Sequence, residues 1–246
     1  MIDTYYKNNN VRIYQCDNLE LLKHLPDNYI NLIYCDILYN TGRKFKDYDD
    51  NLGTTQDAIE WYRPRLLEMK RVLKETGSIY VHCDYRLLHY LKVEMDKIFG
   101  ENNFVNEIIW KYGLGGSGNK SFAKKHDTIL FFTKSNKYIF NLQYEKATSN
   151  KMKGQYKKMI DVWDIPSINN MAKERNGYAT QKPKEILERI IKTSSNKGDI
   201  IADFFMGSCT TGEVALELGR KFIGCDISER ACEIAKQRLE NTNIIS

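Results

Sequence analysis

A chain of 246 residues with 42% hydrophobic content can bury one substantial core and is cramped for two, so a single α/β domain over residues 1–246 with a modest insertion is expected. No apolar run reaches the about 18 residues that a membrane span needs, and the polar start at residues 1–10 lacks a signal-peptide core, which points to a cytoplasmic protein. The net charge of +5 is uneven: residues 111–158 hold eleven Lys against Asp127 and Glu145, so that segment carries +9 and the remainder −4. Tyr112, Phe122, Tyr138, Tyr144 and Tyr156 interleave these lysines, a composition that suits a polyanion partner, with an ordinary solvated face as the competing reading.

In chain order, the first apolar run is residues 11–15, a strand followed at once by Asp17. Residues 30–35 make a second strand, closed by Asp36-Ile37-Leu38-Tyr39-Asn40, and Arg43, Lys44 and Lys46 follow on a flexible loop. Residues 57–74 place Ile59, Leu66, Leu67, Met69 and Leu73 at helical spacing, with Pro64 bending or restarting the helix. A strand at 77–83, a helix at 87–99, a glycine-rich loop at 113–118 and a strand at 128–133 come next. Beyond the lysine-rich stretch, a helix at 183–195 with Pro183 as its first residue leads to a strand at 199–203 and a helix at 212–218. A strand at 221–225 and a helix at 229–239 complete the set. Strands alternating with helices of this length predict a doubly wound, mostly parallel sheet, a Rossmann-like α/β fold. The six cysteines include no Cys-x-x-Cys pair and read as free thiols.

Asp203 ends a strand, Gly207 and Gly212 lie in the turn that follows, and Asp226 ends the next strand 23 residues after Asp203. Such a turn lets backbone approach a nucleotide, and such an acid can meet ribose hydroxyls. This turn is not the Gly-x-Gly-x-x-Gly fingerprint, and it lacks the Gly-Lys-Ser/Thr of a phosphate loop, which argues against a nucleoside triphosphate. A plain strand-to-helix connection is the competing reading. At the other end of the chain, Asp36 and Tyr39 put a carboxylate and an aromatic ring at the carboxyl end of a strand, where open α/β sheets bind ligands, although Asp-x-x-Tyr alone is also an ordinary strand-end turn. His82 and Cys83, adjacent on a strand, point to opposite faces and so form no catalytic dyad. Trp163 reads as a packing anchor.

Together Asp36-Ile37-Leu38-Tyr39, Thr180-Gln181-Lys182-Pro183 and the run from Asp203 to Gly212 resemble the motifs of the β class of DNA amino-methyltransferases. In that family the cofactor loop is typically Asp-Pro-Phe-x-Gly-Ser-Gly-Thr-Thr, matched here by Asp203, Phe205, Gly207, Ser208, Thr210 and Thr211, with Phe204 in place of proline and Cys209 in place of glycine. The catalytic motif is typically Asp-Pro-Pro-Tyr, and Ile37 and Leu38 stand where both prolines would be. Familiar residues at 77–84, 106–110, 125–130 and 198–203 extend the resemblance over nearly the whole chain, with the catalytic motif first and the cofactor motif last, as in the β class.

The resemblance implies S-adenosylmethionine as cofactor, with Asp226 on its ribose, Lys182 near its methionine carboxylate and Asp17 near its adenine. The Asp36 carboxylate and the Leu38 carbonyl would accept the two N–H bonds of an exocyclic amine and aim its lone pair at the sulfonium methyl, while Tyr39 stacks on a base flipped out of the duplex. The transfer needs positioning rather than a metal, and none is expected. Asp rather than Ser at position 36 implies adenine N6 of double-stranded DNA. Target recognition is implied at residues 134–176, where lysines would hold phosphates and Gln143, Asn150, Gln155 and Arg175 could read base edges. A cognate restriction endonuclease and a homodimer are implied on the same ground. A DNA-binding relative impaired in transfer, and an amino-methyltransferase acting on cytosine N4 or on RNA, remain as alternatives.

Overall fold

The computed structural model describes residues 2–45, 48–113, 118–147, 152–168, 174, 178 and 180–243. In chain order, β1 (Thr4–Lys7) and β2 (Val11–Gln15) lead to α1 (Asn18–His24) and β3 (Ile30–Asp36). A small hairpin of β4 (Arg43–Lys44) and β5 (Asp49–Asp50) precedes α2 (Thr55–Val72), β6 (Leu73–Cys83) and α3 (Leu88–Phe99). Then come β7 (Phe104–Lys111), β8 (His126–Thr133), β9 (Tyr144–Lys146), β10 (Tyr156–Lys158) and β11 (Val162–Asp164). The chain closes with α4 (Lys184–Ser194), β12 (Ile200–Asp203), α5 (Thr210–Glu217), β13 (Lys221–Asp226) and α6 (Glu229–Asn243).

One nine-stranded sheet runs in the order β1-β2-β13-β12-β3-β6-β8-β7-β11. Its centre, β2, β13, β12, β3 and β6, is parallel throughout, while β1 and β8 run antiparallel to their neighbours and β11 lies parallel to β7. This is the doubly wound, mostly parallel sheet that the alternating pattern predicts. Side-chain alternation on β3 sends Ile33 and Cys35 toward Leu21, Leu22, Leu66, Met69 and Met95 of α1–α3, and Leu32 and Tyr34 toward Ile186, Ile190, Val214 and Leu239 of α4–α6. Because both faces are covered, β3 reads as an unbroken apolar run rather than an alternating one. His82 and Cys83 fall on opposite faces of β6, as their adjacency requires. The winding moves outward from β3 to β6 on one side and from β12 to β13 on the other, so the crevice between the carboxyl ends of β3 and β12 is the switch point.

Three local features differ from expectation. The helix α2 starts at Thr55 because Thr54 and Asp57 form a capping box, with the Asp57 N–H on Thr54 Oγ1 at 3.2 Å and the Thr54 N–H on Asp57 Oδ2 at 2.8 Å. It then runs through Pro64 as one helix of 18 residues instead of restarting there. Pro183 is the residue before α4 rather than its first turn: its φ of −60° suits either place, but its ψ of 138° is extended. The short α1, capped by Asp17, and the strands β1, β4, β5, β7, β9, β10 and β11 are additional to the predicted set.

Candidate functional site

Asp17, Asp36, Leu38, Tyr39, Lys182, Asp203, Phe205, Gly207, Ser208, Thr210, Thr211 and Asp226 all line one cavity of about 220 Å³ at the switch point. Asp36, Asp203 and Asp226 reach it as the last residues of β3, β12 and β13. Asp203 is almost wholly buried; its Oδ2 accepts the Thr211 hydroxyl at 2.6 Å and its Oδ1 the Phe205 N–H at 3.0 Å. Burial outweighs those bonds and, with the charges of Asp36 and Asp226 nearby, pushes the carboxyl up to about 7. Asp226 takes the Gly207 N–H at 3.0 Å and the Ser228 N–H at 2.9 Å, which ties the cofactor-type turn to the next strand. Gly207 has a φ of +45°, and a Cβ there would come within 3.2 Å of the Tyr178 ring.

The two unusual residues of that turn are accommodated in different ways. Cys209 adopts the left-handed conformation, φ 60° and ψ 37°, immediately before α5, so it keeps the shape glycine would have at a cost of about 1 kcal/mol. Phe204 is buried in the core, and its carbonyl accepts Asn18 Nδ2 at 3.0 Å. Arg238 holds the far side of the turn, donating to the Ser208 carbonyl at 2.8 Å and Thr210 Oγ1 at 3.1 Å. Asp17 caps α1 by accepting the Leu19 N–H at 2.8 Å and pairs with Arg65 at 2.7 Å, while the Arg65 guanidinium lies 3.3 Å from the centre of the Trp61 ring. Cys16, half-exposed, also lines the cavity, and its hydrogen bond with Cys225 lowers its thiol. Three acids beside Trp61, Phe205 and Ile227 fit a nucleoside carrying a cationic centre.

On the catalytic side, the Tyr39 hydroxyl donates to Asp36 Oδ1 at 2.8 Å and lies 3.5 Å from Asp127 Oδ2. Burial and the charges of Asp36 and Asp127 push that hydroxyl well above its ordinary range, so it stays a donor. Lys182, expected beside the cofactor's carboxylate, pairs with Asp36 Oδ2 at 2.5 Å and thus stands where the two halves meet. The backbone after Asp36 is held by neighbours: the Ile37 N–H bonds the His82 carbonyl at 3.2 Å, and the Leu38 carbonyl accepts the Tyr62 hydroxyl at 2.8 Å. Asn40 is left-handed at φ 55°, and buried Asp50 accepts the Asn40 and Thr41 N–H groups at 3.0 Å each and the Thr41 hydroxyl at 2.5 Å.

A second polar layer lies beneath Asp36 and escapes motif reading. His82 is fully buried, with Nδ1 2.8 Å from the Tyr34 hydroxyl, while Nε2 has no hydrogen-bond partner among the described residues and sits 3.6 Å from Asp127 Oδ2. Tyr112 donates to Asp127 Oδ1 at 3.0 Å. Burial pushes the Asp127 carboxyl up, but His82, the Lys182 charge and Tyr112 outweigh it and hold the group below its ordinary value. The available signal was a polar residue inside an apolar strand, His82 among residues 79–83 and Asp127 at the head of residues 128–132. Arg43 and Lys44 lie in the β4–β5 hairpin rather than on an irregular loop, and Phe45 stacks on Tyr48 at 4.8 Å along the cavity wall; Lys46 lies outside the described residues.

The lysine-rich stretch divides into structural and surface parts. Lys134 is spent on the fold, donating to the Leu73 carbonyl at 2.6 Å and Asn28 Oδ1 at 2.7 Å, and Lys111 pairs with Asp164 at 2.7 Å. Tyr112 and Tyr138 pack inward, whereas Phe122, Tyr144 and Tyr156 are exposed. The antiparallel pairing of β9 with β10 aligns Tyr156 with Lys146 and Lys158 with Tyr144, so these four exposed side chains share one face of a two-stranded ribbon. Glu145 and Lys157 face the other way and pair at 3.2 Å. The Asn141 N–H bonds the Thr193 carbonyl at 2.7 Å and Glu145 lies 4.0 Å from Arg189, so the start of the ribbon lies along α4. Gln143 bonds its own chain at Asn141, Gln155 is exposed, and Asn150 and Arg175 lie outside the described residues. Trp163 is buried, its indole N–H on the Ile160 carbonyl at 2.8 Å, as a packing anchor should be.

A doubly wound sheet whose switch point holds this cavity and the Asp36–Tyr39 pair is consistent with the Rossmann-like methyltransferase fold. The family model described as DNA methylase, covering N6 and N4 enzymes, matches residues 30–237. The type II methyltransferase M.HpaI of Haemophilus parainfluenzae is 35% identical over 92% of this chain and 73% of its own length. The DNA adenine methyltransferase YhdJ of Escherichia coli (strain K12) is 32% identical over 96% of this chain and 85% of its own. Among solved structures, the cytosine-N4-specific PvuII DNA methyltransferase superposes with a TM-score of 0.74 at 17% identity, covering 99% of this chain and 94% of its own. A putative DNA modification methylase of Thermus thermophilus, complexed with S-adenosyl-L-methionine, gives 0.68 at 20%, with 94% and 93% covered. The chain belongs to the N6/N4 family of DNA amino-methyltransferases, a family whose substrate is DNA and whose cofactor is S-adenosylmethionine. Among the described residues no helix is long and apolar enough to cross a membrane.

Proposed function

We propose that this protein methylates adenine N6 of a base turned out of duplex DNA. The observation that carries the reading is that Asp36 and Leu38, which carry two acceptors on one turn, line the same cavity as the cofactor loop. An exocyclic amine is a poor nucleophile because its lone pair is delocalised into the ring, and two acceptors on its N–H bonds draw it toward tetrahedral geometry. Bound in this cavity, the cofactor would supply a sulfonium methyl and keep the sulfur lone pair as a neutral thioether, while the methylated amine would release one proton to solvent, directly or through the Asp36 carboxylate. Asp17 and Asp226 would hold the nucleoside part and Lys182 the carboxylate, while Tyr39 stacks on the base and returns about 1 to 3 kcal/mol of the unstacking cost. Asp at position 36, and a relative named as an adenine enzyme at 32% identity, support adenine over cytosine.

In the same reading, residues 134–176 hold the duplex, and the face of Tyr144, Lys146, Tyr156 and Lys158 meets its phosphates. Replacing Lys146 and Lys158 by alanine should flatten the plot of log affinity against log salt by about 1.8, roughly 0.9 for each phosphate no longer neutralised. An unchanged slope in filter binding would remove the ribbon from the interface. A nuclease of the same sequence specificity belongs to this reading, supported by the resemblance to type II methyltransferases, and a homodimer belongs to it by resemblance to the β class alone. The deciding experiment incubates the purified chain with unmodified genomic DNA and methyl-labelled cofactor, then digests to nucleosides. Label in N6-methyldeoxyadenosine is expected; label in N4-methyldeoxycytidine, label from RNA alone, or DNA binding without label would overturn it.

A further inference from the structure

The catalytic turn contains no proline, so its shape must come from contacts with the rest of the fold. Tyr62 makes the most direct of them. It lies on α2, 2% exposed, and its hydroxyl reaches the Leu38 carbonyl at 2.8 Å. Burial, with the charge of Asp50 nearby, pushes that hydroxyl well above its ordinary range, so it is a permanent donor. The Tyr62 ring is itself fixed, edge-on to Trp61 at 4.9 Å and 6.3 Å from Phe205 of the cofactor loop. One side chain therefore touches both halves of the cavity. At the far end of the turn, Asp50 is 3% exposed and takes three hydrogen bonds from Asn40 and Thr41.

We infer that Tyr62 is a positioning residue for methyl transfer, holding the Leu38 carbonyl in register with Asp36 and the cofactor loop while Asp50 fixes the end of the turn. This rests on the reading of Asp36 and Leu38 as the acceptors of the target amine. The two roles of the carbonyl are compatible, because its oxygen has two lone pairs, one for Tyr62 and one for the amine. Donation from Tyr62 also stops the turn from presenting the carbonyl elsewhere, which a neutral hydrogen bond of this kind secures by about a factor of ten.

The same geometry indicates how to replace Tyr62. The Ile37 N–H is spent on the His82 carbonyl at 3.2 Å, so proline at position 37 would forfeit a hydrogen bond. The Leu38 N–H has no hydrogen-bond partner among the described residues, so proline at position 38 fixes φ without that loss. Leu38→Pro is therefore the rescue variant.

The test compares wild type, Tyr62→Phe, Leu38→Pro and the double variant as full chains. Hydrogen exchange is read on the peptide covering residues 36–41, and single-turnover transfer is read on unmodified genomic DNA at saturating cofactor. Tyr62→Phe should speed exchange and lower the rate about tenfold, with cofactor affinity changed less than about twofold and melting temperature barely moved. In the Leu38→Pro background the same substitution should cost less than about twofold in both readouts. Exchange and rate equal to wild type in Tyr62→Phe would overturn the inference. So would an equal loss in both backgrounds, which marks general packing rather than a hold on the turn. If the exchange pattern holds while no form, wild type included, transfers methyl to DNA, the hold on the turn stands and the proposed function falls.

Discussion

At the cofactor loop, Cys209 stands in the family's glycine position and takes up φ 60° itself, whereas at the catalytic turn Ile37 and Leu38 stand in the family's proline positions and are shaped by Tyr62, Asp50 and His82 from outside. The first departure is absorbed by local strain in one residue. The second is distributed over α2, β5 and β6, whose contacting residues lie between 10 and 45 residues further along the chain than Asn40, Leu38 or Ile37. A strained residue keeps its shape wherever the fold puts it, while a turn shaped by neighbours depends on every one of them. The cofactor half should therefore tolerate repair, and the catalytic half should be sensitive to remote change.

The largest expected effect isolates the catalytic half. Asp36→Ala should reduce methyl transfer by about a thousandfold or more while the protein still binds S-adenosylmethionine, measured by calorimetry beside a transfer assay. Retained turnover would remove Asp36 from the chemistry. The next probes the cofactor half through pH. The Asp203 carboxyl sits near 3.8 when exposed and is pushed up to about 7 in the fold. Below about pH 4 both states hold the proton and the group is neutral to stability. From about 4 to 7 only the unfolded state releases it, so stability falls as pH rises, by about 4 kcal/mol in all. Asp203→Asn should remove that slope from denaturant melts run across the window, and identical slopes in the two proteins would show that Asp203 does not hold the proton.

Lys182 tests whether the halves are separable at all, since it is expected at the cofactor's carboxylate and is found on Asp36 at 2.5 Å. Lys182→Met should lower cofactor affinity and the single-turnover rate by about tenfold each. A loss confined to one of the two would assign the residue to that half alone. The smallest effect belongs to the strained turn. Cys209→Gly relieves about 1 kcal/mol of backbone strain and gives up a buried thiol worth about as much, so melting temperature and cofactor affinity should barely move. A large loss of affinity would mean that the Cys209 side chain, rather than its backbone, shapes the loop.

The same contrast explains what could be read from the residues alone. The strands β3, β6, β12 and β13 announce themselves because a buried parallel strand is a continuous apolar run, and acids of the motifs end β3, β12 and β13; the antiparallel β8 is as apolar, and β2 shows by the alternation of Val11 and Ile13. The cofactor loop was legible because its requirements are local: a turn, a glycine, a helix start. The α1 helix was missed at seven residues, although Asp17 before Asn18, with Leu21 and Leu22 following, carries a capping signal. The hold on Leu38 by Tyr62, the layer of Tyr34, His82 and Asp127, and the meeting of Lys182 with Asp36 were not legible. Each joins residues on different elements, and strand register, here Trp110 opposite Asp127 and Tyr34 opposite Tyr80, is set by the whole sheet. The paired face of Tyr144, Lys146, Tyr156 and Lys158 is of the same kind, since it exists only once β9 and β10 align.

The six thiols of this chain are arranged as a built-in occupancy gauge. Cys35, Cys83, Cys209, Cys225 and Cys232 are buried, and burial pushes each of their thiols up, while Cys16 alone is half-exposed and lowered by its bond to Cys225. Cys16 opens onto the cavity wall next to Asp17. A thiol-modifying dye added in stoichiometric amount will mark this position first, and anything seated against Asp17 will shade it, so the colour change reports the filling of the cavity without a radioactive methyl or a known DNA sequence.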